Sequence, residues 1–152
     1  MARYADNVLI ARSPPEVFGY VSDLANAPDW MPHVRLAEPV APPEAGSESG
    51  WRVIRAVGGA EPSTTMQVVE YHGPGMAAPP YRLAFRTKVA GVEVTYRYRF
   101  LPAGAERTRV ELAVESVGKG LIGSLMSLPV ARSLRREEAG QLARLRTVLE
   151  GC

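Results

Sequence analysis

Three consecutive segments, residues 81–88, 91–101 and 107–116, alternate apolar and charged side chains, and this alternation constrains the fold most. Successive side chains of a strand point to opposite faces of a sheet, so period-two alternation predicts one buried and one solvated face. The apolar set is Leu83, Phe85, Val92, Val94, Tyr96, Tyr98, Phe100, Val110, Leu112 and Val114. The charged set is Arg82, Arg86, Glu93, Arg97, Arg99, Arg109, Glu111 and Glu115. These segments predict three strands of an antiparallel sheet.

Four further strands are predicted upstream, and segments rich in glycine and proline separate them. They cover residues 4–11, 33–40, 50–57 and 63–71. The last of them has two adjacent apolar residues, Val68 and Val69, and we expect Met66 and Val68 to face inward. The chain is therefore predicted to form a sheet of about seven strands.

Helical patterns occur at both ends of the chain. After the first strand, Ser13 is a candidate N-cap, Pro14 suits the first turn, and Glu16 would complete a capping box. A second short helical turn is predicted within residues 25–30. Residues 130–149 predict an amphipathic helix, which must bury its apolar stripe against the apolar face of the sheet. That stripe is Val130, Leu134, Leu142, Leu145 and Leu149.

The segment NAPDWMPHV, residues 26–34, sets a large aromatic side chain between two prolines. Pro28 and Pro32 each lack a backbone donor and disfavour helix at the preceding residue. We therefore expect neither a regular helix nor a central strand here, but a shaped connection that turns Trp30 inward.

Composition and charge exclude several classes of protein. The chain has 152 residues, is 46% hydrophobic and carries a net charge of +2, which favours one domain and argues against nucleic-acid binding. Residues 118–152 hold six basic and three acidic side chains, which is typical of a solvated helix face. One cysteine, Cys152, allows no intramolecular disulfide. The sequence shows no leader and no apolar run of membrane-spanning length, so a cytoplasmic protein is expected.

Few residues are candidates for chemistry. The two histidines, His33 and His72, form no helical pair, so neither a metal site nor a cofactor is predicted. No serine stands in a Gly-x-Ser-x-Gly motif, which disfavours a serine hydrolase. Tyr96 and Tyr98 belong to the apolar face, and each carries a hydroxyl that needs a partner when buried. They are expected either to meet a ligand or to pack under the C-terminal helix.

The opening segment, residues 7–34, resembles the start of the START-like (SRPBCC) superfamily of polyketide cyclases, dehydrases and lipid-transfer proteins. The matching residues are Ala11, Pro14, Val17, Phe18, Asp23 and Trp30. The segments VVEYHGPG, AGAERTRVELAVE and QLARLRTVLE resemble later parts of the family pattern, so the resemblance covers nearly the whole chain. It implies an α+β helix-grip fold, in which a curved antiparallel sheet of about seven strands surrounds a long C-terminal helix. Two short helices follow the first strand in this fold.

The resemblance implies a ligand cavity between the sheet and the C-terminal helix, occupied by a small apolar or amphipathic molecule. The expected cavity walls are Trp30, Met66, Leu83, Phe85, Val94, Tyr96, Leu112 and Leu134, with Tyr98 nearer the rim. Trp30 is expected either to touch the ligand or only to plug the core. Aromatase/cyclase members carry an arginine in the cavity, whereas the corresponding strand here reads TTMQVVE. A cofactor-independent cyclase, aromatase or dehydratase therefore ranks as the alternative. A third hypothesis is an interaction protein whose basic C-terminal helix contacts a partner, and a monomer or a homodimer is expected.

Overall fold

The computed structural model describes residues 2–31, 34–39, 50–55, 63–76, 78–89, 91–118, 120 and 140–151. Within these ranges the strands are β1 (Ala2–Ile10), β2 (Val34–Pro39), β3 (Gly50–Arg55), β4 (Ser63–His72), β5 (Tyr81–Val89), β6 (Val92–Pro102) and β7 (Thr108–Gly118). The helices of the same ranges are α1 (Pro14–Ser22), α2 (Ala27–Trp30) and α3 (Gln141–Glu150), with a 3-10 turn at Leu24–Asn26.

The strands form one antiparallel sheet in the order β1-β7-β6-β5-β4-β3-β2. All ten residues of the predicted apolar set are at most 4% exposed, so the alternation is confirmed. Their face is called the inner face below. Phe85 lies opposite Tyr96, which lies opposite Val114, so one inner-face row crosses β5, β6 and β7. The predicted sheet of about seven antiparallel strands is confirmed.

Strand β4 contains an irregularity that accounts for its two adjacent apolar residues. Val68 pairs with Phe85 while Glu70 pairs with Ala84, so the register shifts between these positions. A bulge places two residues of one strand opposite one residue of its neighbour, which interrupts alternation. Met66 is 1% exposed and Val68 is half-buried against the core, as predicted.

Helix α1 begins where predicted, but without the predicted cap. Ser13 has an extended backbone and its carbonyl accepts from the Val17 N–H at 3.0 Å, yet its side chain makes no capping hydrogen bond within the described residues. The carboxylate of Glu16 instead lies 3.3 Å from the Arg12 guanidinium, one helical turn away. The predicted capping box is therefore wrong, because Glu16 pairs with a cation rather than with the Ser13 N–H.

The buried side of α1 packs four aromatic rings together at one end of the inner face. The Phe18 ring lies edge-on to Tyr71, Tyr81 and Phe100, with centroid distances of 5.1, 5.7 and 5.2 Å. These four residues are called the Phe18 cluster below. A Cβ on Gly73 would lie 2.5 Å from Phe18 Cε1, so only glycine fits beside this ring. The Phe18 ring is thus tightly packed against its neighbours.

The described C-terminal helix, α3, is shorter than predicted. Gly140 has φ +85°, a left-handed conformation that cannot continue a right-handed helix, so α3 begins at Gln141. The predicted uninterrupted helix over residues 130–149 is therefore wrong at Gly140. Residues 121–139, with Val130 and Leu134, lie outside the described residues. The remaining stripe is confirmed, because Leu142, Leu145 and Leu149 are buried in the same core as the inner face.

The end of α3 is joined to the segment after β1. The Ala11 N–H donates to Glu150 Oε2 at 2.9 Å, and Arg146 Nε lies 3.4 Å from the same oxygen. The hydrogen bond from Ala11 is the main cause that lowers the pKa of Glu150 below its ordinary value; partial desolvation opposes it and Arg146 adds to it. This contact holds α3 against the sheet edge at β1.

Candidate functional site

The segment that carries Trp30 is a single helical turn. Ala27–Trp30 forms α2, with Pro28 in the first turn, where its missing N–H would have had no helical partner. The short helical turn predicted within residues 25–30 is therefore confirmed. Met31 returns to an extended conformation and ends the turn. Trp30 is 0% exposed, so its predicted inward direction is confirmed.

Trp30 turns onto the aromatic rings of the sheet. Its ring lies 6.2 Å from that of Tyr98 with an interplanar angle of 75°, an edge-to-face contact. Phe85 approaches Tyr98 in the same way at 6.2 Å, and Phe100 stacks on Tyr98 at 6.4 Å. Helix α2 thus contacts the inner face at Tyr98.

The Tyr98 hydroxyl is covered by the start of α3. It donates to Gln141 Oε1 at 3.0 Å, and the two residues are 1% and 2% exposed. The expected rim position of Tyr98 is therefore wrong, because the first residue of α3 closes over the hydroxyl. Gln141 was missed by the sequence reasoning, although Gly140 before it was a signal that a helix starts there. Phe85, Tyr98, Gln141 and Trp30 are called the Trp30 site below.

The indole nitrogen of Trp30 is the distinctive polar atom of this site. Trp30 Nε1 is buried and has no hydrogen-bond partner within the described residues. An indole N–H can only donate, and a buried donor without an acceptor costs about 1–3 kcal/mol. The Trp30 site therefore carries a buried donor beside the bonded pair of Tyr98 and Gln141.

The predicted wall residues of the sheet belong to this site or to the inner face around it. Leu83 and Leu112 lie opposite Tyr98 on the two neighbouring strands. The wall residues of the inner face that are at most 2% exposed are Met66, Leu83, Phe85, Val94, Tyr96, Tyr98 and Leu112. Leu134 lies outside the described residues. That these residues contact a ligand stays a prediction.

Of the two histidines, the structure describes His72. The side chain of His72 is 56% exposed at the end of β4, with Nε2 3.9 Å from Glu70 Oε2. His33 and Cys152 lie outside the described residues. In the ranges that the structure covers, no three His, Cys, Asp or Glu side chains come together as metal ligands. Over the same ranges, no helix has the length and apolar character to cross a membrane.

Comparison with known families shows to which family the chain belongs. The model of the family described as "Polyketide cyclase / dehydrase and lipid transport" matches residues 1–150. The chain belongs to this family. The resemblance inferred from the opening segment is thereby confirmed. A search of curated protein sequences found no match to the chain.

Solved structures of similar fold include aromatase/cyclases. The di-domain ARO/CYC protein BexL is 20% identical with a TM-score of 0.75; the match covers 99% of this chain and 47% of BexL, so the chain spans about half its length. The Zhui aromatase/cyclase from Streptomyces is 18% identical with a TM-score of 0.70, covering 99% and 92% of the two chains. A START superfamily protein from Mycobacterium smegmatis is 18% identical with a TM-score of 0.68, covering 98% and 97%. At these identities the likeness establishes the helix-grip fold.

Proposed function

We propose that this protein binds a small apolar or amphipathic molecule against the inner face, beside the Trp30 site. The observation that carries the proposal is the buried Trp30 Nε1, which has no hydrogen-bond partner within the described residues. Membership of a family described by cyclase, dehydrase and lipid-transport functions supports it.

The chemistry of the site defines the ligand class. Ligand sites are mostly apolar surfaces with a few placed polar groups that fix orientation. Here Phe85, Leu83 and Leu112 supply apolar surface, and the Trp30 N–H supplies a donor. A ligand oxygen that accepts from this donor would offset the cost of burying it. The ligand is therefore apolar over most of its length and carries at least one carbonyl, ether or hydroxyl oxygen.

A cofactor-independent cyclase, aromatase or dehydratase is the second candidate function. The observation that favours it is the bonded pair of Tyr98 and Gln141, at 3.0 Å and beside Trp30. The Tyr98 hydroxyl donates a hydrogen bond to Gln141 and so orients the side-chain amide, whose NH₂ group is a donor. A preorganised donor in a buried site can polarise a carbonyl and stabilise developing negative charge. Binding ranks first because β4 holds no arginine, the residue expected in aromatase/cyclase cavities.

Isothermal titration calorimetry tests the binding proposal with 1,8-dihydroxyanthraquinone and dodecanoic acid as probes. Trp30→Phe keeps an aromatic ring and removes the N–H, so it should weaken binding of at least one probe about tenfold, the equivalent of one hydrogen bond. Trp51→Phe removes the other indole N–H of the chain, on β3, and serves as the matched control. Equal affinity in the wild type and in Trp30→Phe would contradict the role of Trp30.

The enzymatic alternative has its own test. The protein is incubated with a linear aryl triketone, and mass spectrometry follows the loss of water that accompanies cyclisation and aromatisation. Acceleration over buffer that Tyr98→Phe abolishes would make catalysis the primary function. Binding of the triketone without acceleration would support carriage.

Three finer statements stay predictions from the sequence. They are a single domain over residues 1–152, a cytoplasmic location, and a monomer or homodimer.

A further inference from the structure

We propose that Thr87 is a second polar contact for the ligand, so that the site takes an elongated molecule with a hydrogen-bonding oxygen at each end. This inference rests on the proposed binding function. A contact at Thr87 narrows the ligand class to molecules with a second oxygen.

The position of Thr87 follows from strand pairing. It lies opposite Val94 on β6, and opposite residues of paired strands point to the same face. Val94 is 0% exposed on the inner face, so the Thr87 side chain faces inward too. Thr87 is 3% exposed, and its hydroxyl oxygen has no hydrogen-bond partner within the described residues.

The hydroxyl of Thr87 fills no more space than a methyl group of valine would. Valine has nearly the same shape, and burying a hydroxyl without a hydrogen bond lowers stability. Leu83 and Phe85 continue the same inner-face alternation with apolar side chains. A hydroxyl at this position therefore lowers stability unless another molecule provides its partner.

The strand geometry sets the spacing between the two polar positions. Leu83 lies opposite Tyr98 of the Trp30 site, and Thr87 is four residues further along β5. At about 3.4 Å per residue, Thr87 lies about 14 Å along the strand from Leu83, which is the neighbour of the Trp30 site. The row of Phe85 and Tyr96 crosses the sheet between them.

The polar groups that would meet the two ends of the ligand differ in hydrogen-bonding character. The Trp30 N–H requires an acceptor oxygen, whereas a threonine hydroxyl can donate or accept. Ser116, 3% exposed, lies on the other side of Val94 and adds a second hydroxyl-bearing residue at the Thr87 end. The ligand is therefore a long diol, a hydroxy-ketone or a related molecule whose two oxygens are separated by roughly this strand distance of about 14 Å.

The test compares 1-decanol with 1,10-decanediol by isothermal titration calorimetry. The two probes share one hydroxyl and differ in the second, which reaches Thr87 when the first meets Trp30. In Thr87→Val we expect the affinity for the diol to fall about tenfold, and that for 1-decanol to stay within twofold. Thr95→Val is the matched control, because Thr95 is also buried, at 7% exposure, but pairs with Arg86 and Glu115 of the opposite face.

The outcomes separate the two proposals. If 1-decanol binds and the diol loses nothing in Thr87→Val, the Thr87 contact is wrong while the binding function stands. If neither alcohol binds the wild type, both proposals fail for this ligand class. The melting temperature gives a second readout, because removing an unpartnered hydroxyl should raise it in Thr87→Val. A lower melting temperature would mean that the hydroxyl bonds within the fold, and would overturn the inference.

Discussion

The Phe18 cluster and the Trp30 site occupy the same inner face and are joined by the stacked rings of Phe100 and Tyr98, 6.4 Å apart. Both are aromatic, and their rings are buried except that of Tyr71, which is 45% exposed, yet the two regions differ in their polar atoms. Phe18 and Phe100, at the centre of the first, have only carbon in their side chains. The second holds a buried hydroxyl–amide bond and an indole N–H without a partner in the described residues.

The difference indicates that the Phe18 cluster serves packing, whereas the Trp30 site holds a polar group that a ligand can meet. Beside Phe18 there is no room even for a methyl group, as the 2.5 Å contact of a Cβ on Gly73 shows. At Trp30 the burial of an unsatisfied donor lowers stability, which is expected where a fold keeps a polar group for a ligand. Changes in the Phe18 cluster should therefore alter stability most, whereas changes at the Trp30 site should alter stability less and should also alter binding.

The largest effect is expected at the centre of the Phe18 cluster. Phe18→Ala removes a ring that is 1% exposed and contacts three others, so it should lower the free energy of unfolding by about 3–5 kcal/mol. Urea unfolding followed by circular dichroism measures it. A loss below about 1 kcal/mol would show that the cluster is loosely packed and would remove the contrast with the Trp30 site.

The next effect concerns α3. Leu145 is 0% exposed, so Leu145→Ala should cost about 2–5 kcal/mol in the same assay. Arg144→Ala, at an exposed neighbouring position, is the control and should stay within about 0.5 kcal/mol. Equal effects of the two substitutions would mean that the stripe of α3 is not buried, and the interaction-protein hypothesis would gain.

A smaller effect on stability is expected from the hydrogen bond between Tyr98 and Gln141. Gln141→Leu removes the acceptor of the Tyr98 hydroxyl and should cost about 1 kcal/mol of stability. Together with Tyr98→Phe it forms a double-mutant cycle, in which thermal unfolding should reveal a coupling energy of about 0.5–1.5 kcal/mol. Additive effects would indicate that this hydrogen bond does not stabilise the site.

The smallest effect depends on pH. The pKa of Glu150 is lowered in the folded state, chiefly by the Ala11 N–H, so the carboxylate stabilises the fold at pH values above its ordinary pKa of 4.5. This contribution is lost as the pH falls through the folded-state pKa. Glu150→Gln should therefore be less stable than the wild type at pH 7, and the difference should shrink below pH 4.5, as thermal melts across pH would show. A difference that is constant with pH would contradict this.

The strands could be predicted because alternation is a local signal. Inner-face residues from Leu83 to Val114 are buried as their period-two pattern predicts. Trp30 could be predicted to turn inward because a large aromatic side chain between prolines has little alternative. The adjacent apolar residues Val68 and Val69 are the sequence signal of the bulge in β4. Only the strand pairing shows where the register shifts.

The polar part of the site could not be predicted, since it depends on contacts between distant elements. Tyr98 and Gln141 are 43 residues apart, and no local pattern joins them. The start of α3 could not be predicted because the apolar stripe continues across Gly140 in the sequence. The φ of +85° at Gly140 nevertheless interrupts the helix there. The capping box failed because Arg12 competes for Glu16, an ion pair that a motif of cap residues does not consider.

The central claim is that the Trp30 N–H meets the ligand, and heteronuclear NMR of the two indole N–H groups tests it directly. The Trp51→Phe variant assigns the two resonances. On titration with 1,8-dihydroxyanthraquinone, we predict that the Trp30 indole proton moves downfield as it gains an acceptor, while that of Trp51 moves little. A probe that binds by calorimetry but leaves the Trp30 resonance in place would contradict the claim.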